Sequence, residues 1–255
     1  MMTITARNAR RENYGGAREL DHIKYIVLHY TGNERSTPDT AANNAAYFEQ
    51  ATPGVSAHYF VDGARCVQSV PDSCVAWAVG TKGAYKHAAC RNANSLSIEM
   101  CSYTEDGVPY LVDNAANMAL TLTRQLMERY GIPLENVLRH YDVTGKCCPA
   151  PMAAQDRLWA AWKYALANGI AFERAVLIRC AGLAPDTVAY LARYTYGVPL
   201  LRKLTRAIMG RRAPAGLQTR TCVQRAAEIE DDTMRYLDGY RYKDALYAKL
   251  ADAMK

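Results

Sequence analysis

The sequence predicts an α/β chain in which a mixed central β-sheet flanked by helices is followed by an all-α region of two helical repeats. Short apolar runs such as Ile23–Tyr30 and Leu96–Met100 alternate with helix-length amphipathic stretches up to about residue 169. Beyond that point residues 179–196 recur as 225–242, an internal offset of 46 residues. The 255 residues also exceed the roughly 100 to 200 usual for one domain. The expected division is 1–169 and 170–255, the second part holding copies at about 171–210 and 217–255.

The elements of the first part follow in order. Ile23–Tyr30 is an apolar run that reads as a buried strand. Pro38 to Gln50 has helical composition, with a start at Thr37 or Asp39. Residues 57–62, 65–70 and 96–101 read as strands, and Asp62-Gly63 is a hairpin turn joining the first two. Ala115, Met118, Leu122, Leu126 and Tyr130 recur at helical spacing, closed by Gly131 and Pro133. A further helix is expected from about Ala153 to Ala167, ending at Asn168-Gly169.

Within the repeats, Asp186 and Asp232 are the expected N-caps, and Thr187, Leu191 and Tyr194 lie on one face of their helix, as their counterparts do in the second copy. With the apolar stretches at 171–181 and 221–229, each copy reads as a three-helix unit. The repeated tyrosines are either core or platforms for sugar rings.

Charge is unevenly spread. Residues 1–169 hold 16 basic and 16 acidic side chains and residues 170–255 hold 15 and 9, so the whole net charge of +6 lies in the second part. Such a module favours an anionic polymer through attraction that salt weakens, with a solvated helical face as the plain alternative. No apolar run reaches the roughly 18 to 20 residues of a membrane span, and the first residues lack the apolar core of a secretory signal. Eight scattered cysteines in a chain able to bury a core suggest synthesis in a reducing cytoplasm.

The chemistry concentrates in His140-Tyr-Asp-Val-Thr-Gly-Lys146-Cys-Cys148-Pro, which brings an imidazole, an ammonium and a thiol close together in sequence. His29, at the end of the apolar strand, supplies a third donor. Two His and one Cys would hold zinc with a fourth position free for water, a catalytic arrangement suited to hydrolysis at neutral pH. The alternation in Leu96–Cys101 puts Ser97, Glu99 and Cys101 on one face, and a carboxylate on a central strand is costly without a role such as general base. Lys146 can reach a developing oxyanion. His58 could be a fourth ligand, but a fully protein-ligated zinc would be a closed structural site. Trp77 is either a groove or a core residue, and the loop from Gly80 to Ala93, with Lys82, Tyr85, Lys86 and Arg91, is the expected contact for an extended substrate.

Order and spacing resemble the type 2 zinc-dependent N-acetylmuramoyl-L-alanine amidases, which share a fold with peptidoglycan recognition proteins and include phage endolysins. The resemblance covers about residues 20–168. It rests on His29-Tyr30-Thr31, Ser56-Ala57-His58-Tyr59-Phe60, Asn94–Met100 and the His140–Cys148 segment. It implies that His29, His140 and Cys148 hold Zn2+, that Glu99 and Lys146 are catalytic, and that His58 is structural or supports the ligands. The implied substrate is bacterial peptidoglycan, cut between N-acetylmuramic acid and L-alanine. Two positions depart from the family: Ala57, where some phage members place a catalytic tyrosine, and Ala78, where many relatives have a His after the Trp.

The repeats resemble, less specifically, helical C-terminal units of amidase endolysins from clostridial phages and prophages, and imply wall binding, with anionic wall polymers as the expected partner. A phage or prophage lysin is therefore expected, made in the bacterial cytoplasm without a signal peptide and acting at the wall after release. The alternatives are a non-catalytic peptidoglycan-recognition protein, DNA binding by the basic repeats, and a hydrolase with Cys148 as nucleophile. No nucleic acid and no membrane span are expected.

Overall fold

The computed structural model describes residues 2–255 and divides into two compact units, the first ending at Gln155 and the second spanning Asp156–Lys255. The first unit contains β1 (Ile4–Ala6), β2 (Tyr14–Ala17), β3 (Tyr25–Tyr30), α1 (Ala41–Gln50), β4 (Tyr59–Val61), β5 (Cys66–Gln68), β6 (Cys74–Ala76), β7 (Ser95–Met100), β8 (Ser102–Glu105), β9 (Val108–Leu111), α2 (Ala115–Tyr130), β10 (Val137–Arg139), α3 (His140–Thr144) and α4 (Ala150–Ala153).

Six strands form the central sheet in the order β1-β5-β4-β7-β3-β10. It is mixed, as expected: β4 and β5 are an antiparallel hairpin, and the remaining neighbours run parallel. The two longest strands, β3 and β7, are neighbours inside the sheet, where burial on both faces demands apolar runs. Ile26, Leu28, Leu96, Ile98 and Met100 are essentially inaccessible, and α2 packs against β4 and β7. On the other side Phe60 and Val67 meet Ala41, Ala45 and Phe48 of α1, while Val27 packs with Val79, Cys90 and Val143.

The β4–β5 hairpin turns through four residues, closed by the Asp62 carboxylate, which accepts from the backbone N–H of Ala64 and Arg65, both at 2.8 Å. Gly63 is required by crowding: a Cβ there would lie 2.3 Å from the carbonyl oxygen of Asp113. The start of α1 differs from expectation. Asp39 is engaged by the Ser102 N–H (2.8 Å) and the Asn44 amide (2.9 Å), so Thr40 caps the helix instead, its hydroxyl accepting from Asn43 N–H at 3.1 Å.

The second unit is helical: α5 (Asp156–Asn168), α6 (Phe172–Arg179), α7 (Pro185–Arg193), α8 (Gly197–Gly210), α9 (Thr219–Ala226), α10 (Asp231–Asp238) and α11 (Lys243–Ala253). Helix α5 belongs to this unit because its buried stripe, Leu158, Ala161, Trp162, Ala165 and Leu166, packs along α6; the sequence alone places it before residue 169. Asp186 and Asp232 are not N-caps. Pro185 takes the first position of α7 after Ala184, and α10 starts after Glu230, leaving both aspartates in the first turn, where they complement the helix dipole.

The tyrosines divide into a packed group and an exposed one. Tyr190 stacks on Tyr236 and Tyr194 on Tyr236, with centroids 4.8 and 4.3 Å apart, and Tyr240 lies 4.6 Å from Tyr190. These four join α7 to α10. Tyr196 and Tyr242 remain 61% and 58% exposed.

Candidate active site

Parallel pairing assembles the site. Register pairs His29 on β3 with Glu99 on β7, and parallel neighbours in register project to the same face. On the other side β10 pairs Arg139 with Leu28, so His140, the next residue, arrives beside His29. The chain cannot continue as a strand there. Asp142 accepts from the Arg139 N–H at 2.8 Å and from its guanidinium at 2.7 Å, starting α3 at His140. The buried Arg139 also donates to the Met152 carbonyl at 2.9 Å. One guanidinium thus ties the segment before the thiol to the segment after it.

Gly145 ends α3 in the left-handed region at φ 84°. The returning chain is held by the Tyr141 N–H donating to the Cys148 carbonyl at 2.9 Å, which aims Cys148 back at the histidines. Its Sγ lies 3.7 Å from His29 Nδ1, and the His29 and His140 ring centroids are 4.7 Å apart. One donor atom from each of His29, His140 and Cys148 lies within 4.8 Å of the others, and all three residues are buried. Glu99 Oε1 is 4.0 Å from His29 Nδ1.

These groups line a cavity of about 260 Å3 together with Tyr30, Trp77, Lys146 and Cys147. Its polar atoms are incompletely satisfied: His29 Nε2, both ring nitrogens of His140, and Glu99 Oε2 are buried with no hydrogen-bond partner. Unpaired buried polar groups are costly. Burial, the neighbouring His140 and Lys146 hold the His29 pKa far below its ordinary value, and burial with Lys146 brings His140 to about 4. Both imidazoles are therefore neutral with lone pairs available. Burial, with Glu99, raises the Cys148 thiol. Burial also pushes Glu99 up to about 8, opposed by Lys146. A cation placed among these atoms would take up the imidazole lone pairs and favour the ionised thiol and carboxylate, and two nitrogens with one sulfur form a donor set that suits zinc.

His58 is separate. Its Nε2 lies 2.8 Å from the Arg18 guanidinium, which can only donate, and its Nδ1 lies 3.0 Å from Ser97 Oγ. With both ring nitrogens engaged it has no lone pair for a metal. The expected loop contacts are also diverted. Trp77 and Ala78, just before this loop, line the cavity, whereas within it Lys86 packs over the Tyr141 ring and Arg91 over Tyr85, at 4.1 and 3.8 Å. Arg139 went unmarked in the sequence; an arginine directly before a ligand histidine and three residues before an aspartate is the available signal.

A family model described as N-acetylmuramoyl-L-alanine amidase matches residues 19–151. The N-acetylmuramoyl-L-alanine amidase CwlL of Bacillus licheniformis is 38% identical over 149 residues, covering 54% of this chain and 39% of that protein. CwlA of Bacillus subtilis (strain 168), also an N-acetylmuramoyl-L-alanine amidase, is 30% identical over 145 residues, covering 56% of this chain and 48% of its own. The chain thus spans less than half the length of these two relatives. Among solved structures, PlyL is 30% identical with a TM-score of 0.53, covering 65% of this chain and 97% of that one. The PlyG catalytic domain is 31% identical with a TM-score of 0.53, covering 66% and 95%. With the buried His-His-Cys cluster at the strand ends and a family match over residues 19–151, the chain belongs to the N-acetylmuramoyl-L-alanine amidase family.

Proposed function

We propose that this protein is a zinc-dependent peptidoglycan hydrolase of the endolysin kind, cleaving the amide between N-acetylmuramic acid and the L-alanine of the stem peptide. The observation that carries the reading is the buried cluster of His29, His140 and Cys148 beside Glu99 in one open cavity. His29, His140 and Cys148 would hold the metal, which when bound polarises a carbonyl and lowers the pKa of water.

The chain's own groups supply the rest. Glu99, with its proton affinity raised by burial to a pKa of about 8, accepts a proton from the attacking water and delivers it to the leaving amine. Lys146 lines the same cavity and its charge bears on Glu99 and His140, which suits stabilisation of the oxyanion. Trp77, 37% exposed on the cavity wall, offers an apolar face to the substrate.

In this reading the unit ending at Gln155 carries catalysis, and the helical unit from Asp156 carries, in residues 170–255, two repeats that bind the wall, the place of action. The repeat assignment is supported by helix positions. Helices starting at Phe172, Pro185 and Gly197 are followed by others at Thr219, Asp231 and Lys243, at or next to the 46-residue offset. Among the described residues no helix is long and apolar enough to cross a membrane.

The test is digestion of purified peptidoglycan by metal-replete and chelated protein, with mass spectrometry of the products. Free stem peptides beginning at L-alanine, lost on chelation and restored by zinc, are expected. Intact peptidoglycan from several wall types, despite bound zinc, would leave recognition without cleavage.

A further inference from the structure

The helices of the second unit pack through a set of reciprocal contacts. Tyr190 OH donates to the Tyr236 carbonyl at 3.2 Å, and Tyr236 OH donates to the Tyr190 carbonyl at 2.7 Å. The Thr187 hydroxyl meets Tyr240 OH at 2.8 Å, and the Thr233 hydroxyl meets Tyr194 OH at 3.3 Å. Lys203 Nζ donates to the Glu228 carbonyl at 2.6 Å, and Lys249 Nζ to the Gly182 carbonyl at 2.7 Å. In each pair, adding 46 to the residues of one copy gives the residues of the other. Residue i meets j while j's counterpart meets i's, the mark of an isologous two-fold interface. Here it lies within one chain.

At one end of this interface lies a cavity of about 330 Å3, between the start of α8 and the start of α10, at the lower end of the range for small-molecule sites. Its apolar wall is made by Tyr194, Tyr196 and Leu200, and its polar wall by Lys203, Glu230 and Asp232. Tyr196 is mostly exposed and meets Tyr194 edge to face at 5.6 Å. Lys203 is bonded to Glu230 at 2.6 Å and Asp232 is paired with Arg235, so the polar wall carries no net charge. That wall offers a polyphosphate no uncompensated cation, despite the positive charge of the unit as a whole. An aromatic face opposite fixed donors and acceptors instead suits a sugar ring, whose C–H face packs on the tyrosine while its hydroxyls exchange hydrogen bonds with Lys203 and Asp232.

We infer that this cavity binds an uncharged saccharide of the cell wall, and that the surface at Tyr242, its counterpart across the interface, is a weaker second site. Tyr242 is equally exposed and meets Tyr240 edge to face at 5.9 Å. The counterpart lacks two features, since Ala184 stands where the first site has Glu230 and Ala245 where it has Pro199. Two sites on one rigid pair fit a polymer whose sugars repeat, because engagement of the second becomes intramolecular. The inference rests on the wall-hydrolase reading for the identity of the polymer, though not for the site itself.

The test uses the full chain, co-sedimented at high salt with purified Gram-positive walls, both intact and acid-stripped of secondary polymers. Turnover of a soluble muramoyl peptide is measured in parallel. High salt suppresses the general attraction of the basic surface. Tyr196→Ala is expected to weaken sedimentation by about tenfold, Tyr242→Ala by about threefold, and Tyr196→Trp to retain binding, all with unchanged soluble turnover. Retention on stripped walls assigns the sugar to the glycan strand, and loss on stripping assigns it to a secondary polysaccharide. Undiminished sedimentation of the Tyr196→Ala/Tyr242→Ala protein overturns the inference, as does competition by soluble polyphosphate that depends on Tyr196. Tyr196-dependent sedimentation without soluble turnover would uphold the site while removing the hydrolase reading.

Discussion

Two clusters of buried polar groups lie in the same unit and use the same residue types, yet they are completed differently. Around Asp72 every main group has a partner. Its carboxylate accepts from Tyr59 OH at 2.6 Å, from Tyr130 OH at 2.5 Å and from the Gln68 amide at 3.1 Å. Arg18 donates to the Asp72 carbonyl at 2.8 Å and reaches on to His58. At the strand ends, His29, His140 and Glu99 keep four buried atoms without partners. A satisfied buried carboxylate or histidine is what a fold needs to hold its loops. An unsatisfied one persists because something absent from the chain completes it.

The strongest way to break this comparison is at the two carboxylates. Glu99→Gln is expected to lower kcat on a soluble muramoyl peptide by about 1,000- to 10,000-fold, the upper range for loss of a general base, while leaving thermal stability equal or raised. Asp72→Ala should do the opposite. It strands the buried hydroxyl of Tyr59 and the half-buried one of Tyr130 and should cost about 3 kcal/mol of stability, with kcat nearly unchanged at temperatures where the protein is folded. Parallel kinetics and denaturant titrations of both variants check the contrast, and matching effects at the two positions would refute it.

The histidines sharpen the same point through pH. Burial, with the Arg18 charge, holds the folded His58 pKa down at about 3, against an unfolded value near 6.5. Below 6.5 the unfolded chain takes up a proton that the folded chain refuses, so stability falls as pH drops and is fully present above about 6.5. The loss by pH 5 is about 2 kcal/mol from this group. In His58→Gln the whole curve should start lower through lost hydrogen bonds, but the fall between pH 7 and pH 5 should shrink by that amount. Urea titrations at the two pH values measure it, and equal slopes in both proteins would rule out His58 as the source.

How much of this was legible in the sequence depended on the range of the interactions involved. The apolar runs of β3 and β7 and the stripe of α2 are local patterns, and they stand where expected. The cluster of His29, His140 and Cys148 was legible as chemistry because rare residue types sat near one another or at a strand end. Its geometry was not, since it depends on parallel register between β3, β7 and β10, and β10 is only three residues long. Strands β1, β2, β6, β8 and β9 escaped for the same reason: at three or four residues each, they show too little alternation to be distinguished from loop. The engagement of His58 could not be read from spacing, because the groups that occupy it, Arg18 and Ser97, lie about 40 residues away on either side; only the family resemblance implied its supporting role. The separate roles of the tyrosines depended on pairing across the 46-residue offset, which neither copy reveals alone.

The smallest expected effect tests how the site is held rather than what completes it. Gly145 adopts φ 84°, and a Cβ there would lie 3.0 Å from Cε of Lys86, a methylene near the flexible end of its side chain. Gly145→Ala should therefore cost about 1 kcal/mol, mainly from backbone strain in the left-handed region, with Lys86 yielding its place over Tyr141. Because Gly145 directs the chain from His140 to Cys148, part of that strain should appear at the thiol. Zinc affinity, measured by competition with a chromophoric chelator, should fall by a few-fold while His58 and Asp72 keep their surroundings. If the stability loss comes with no change in zinc affinity, the turn serves the fold alone, and the aim of Cys148 rests on the Tyr141 N–H and the Arg139 guanidinium.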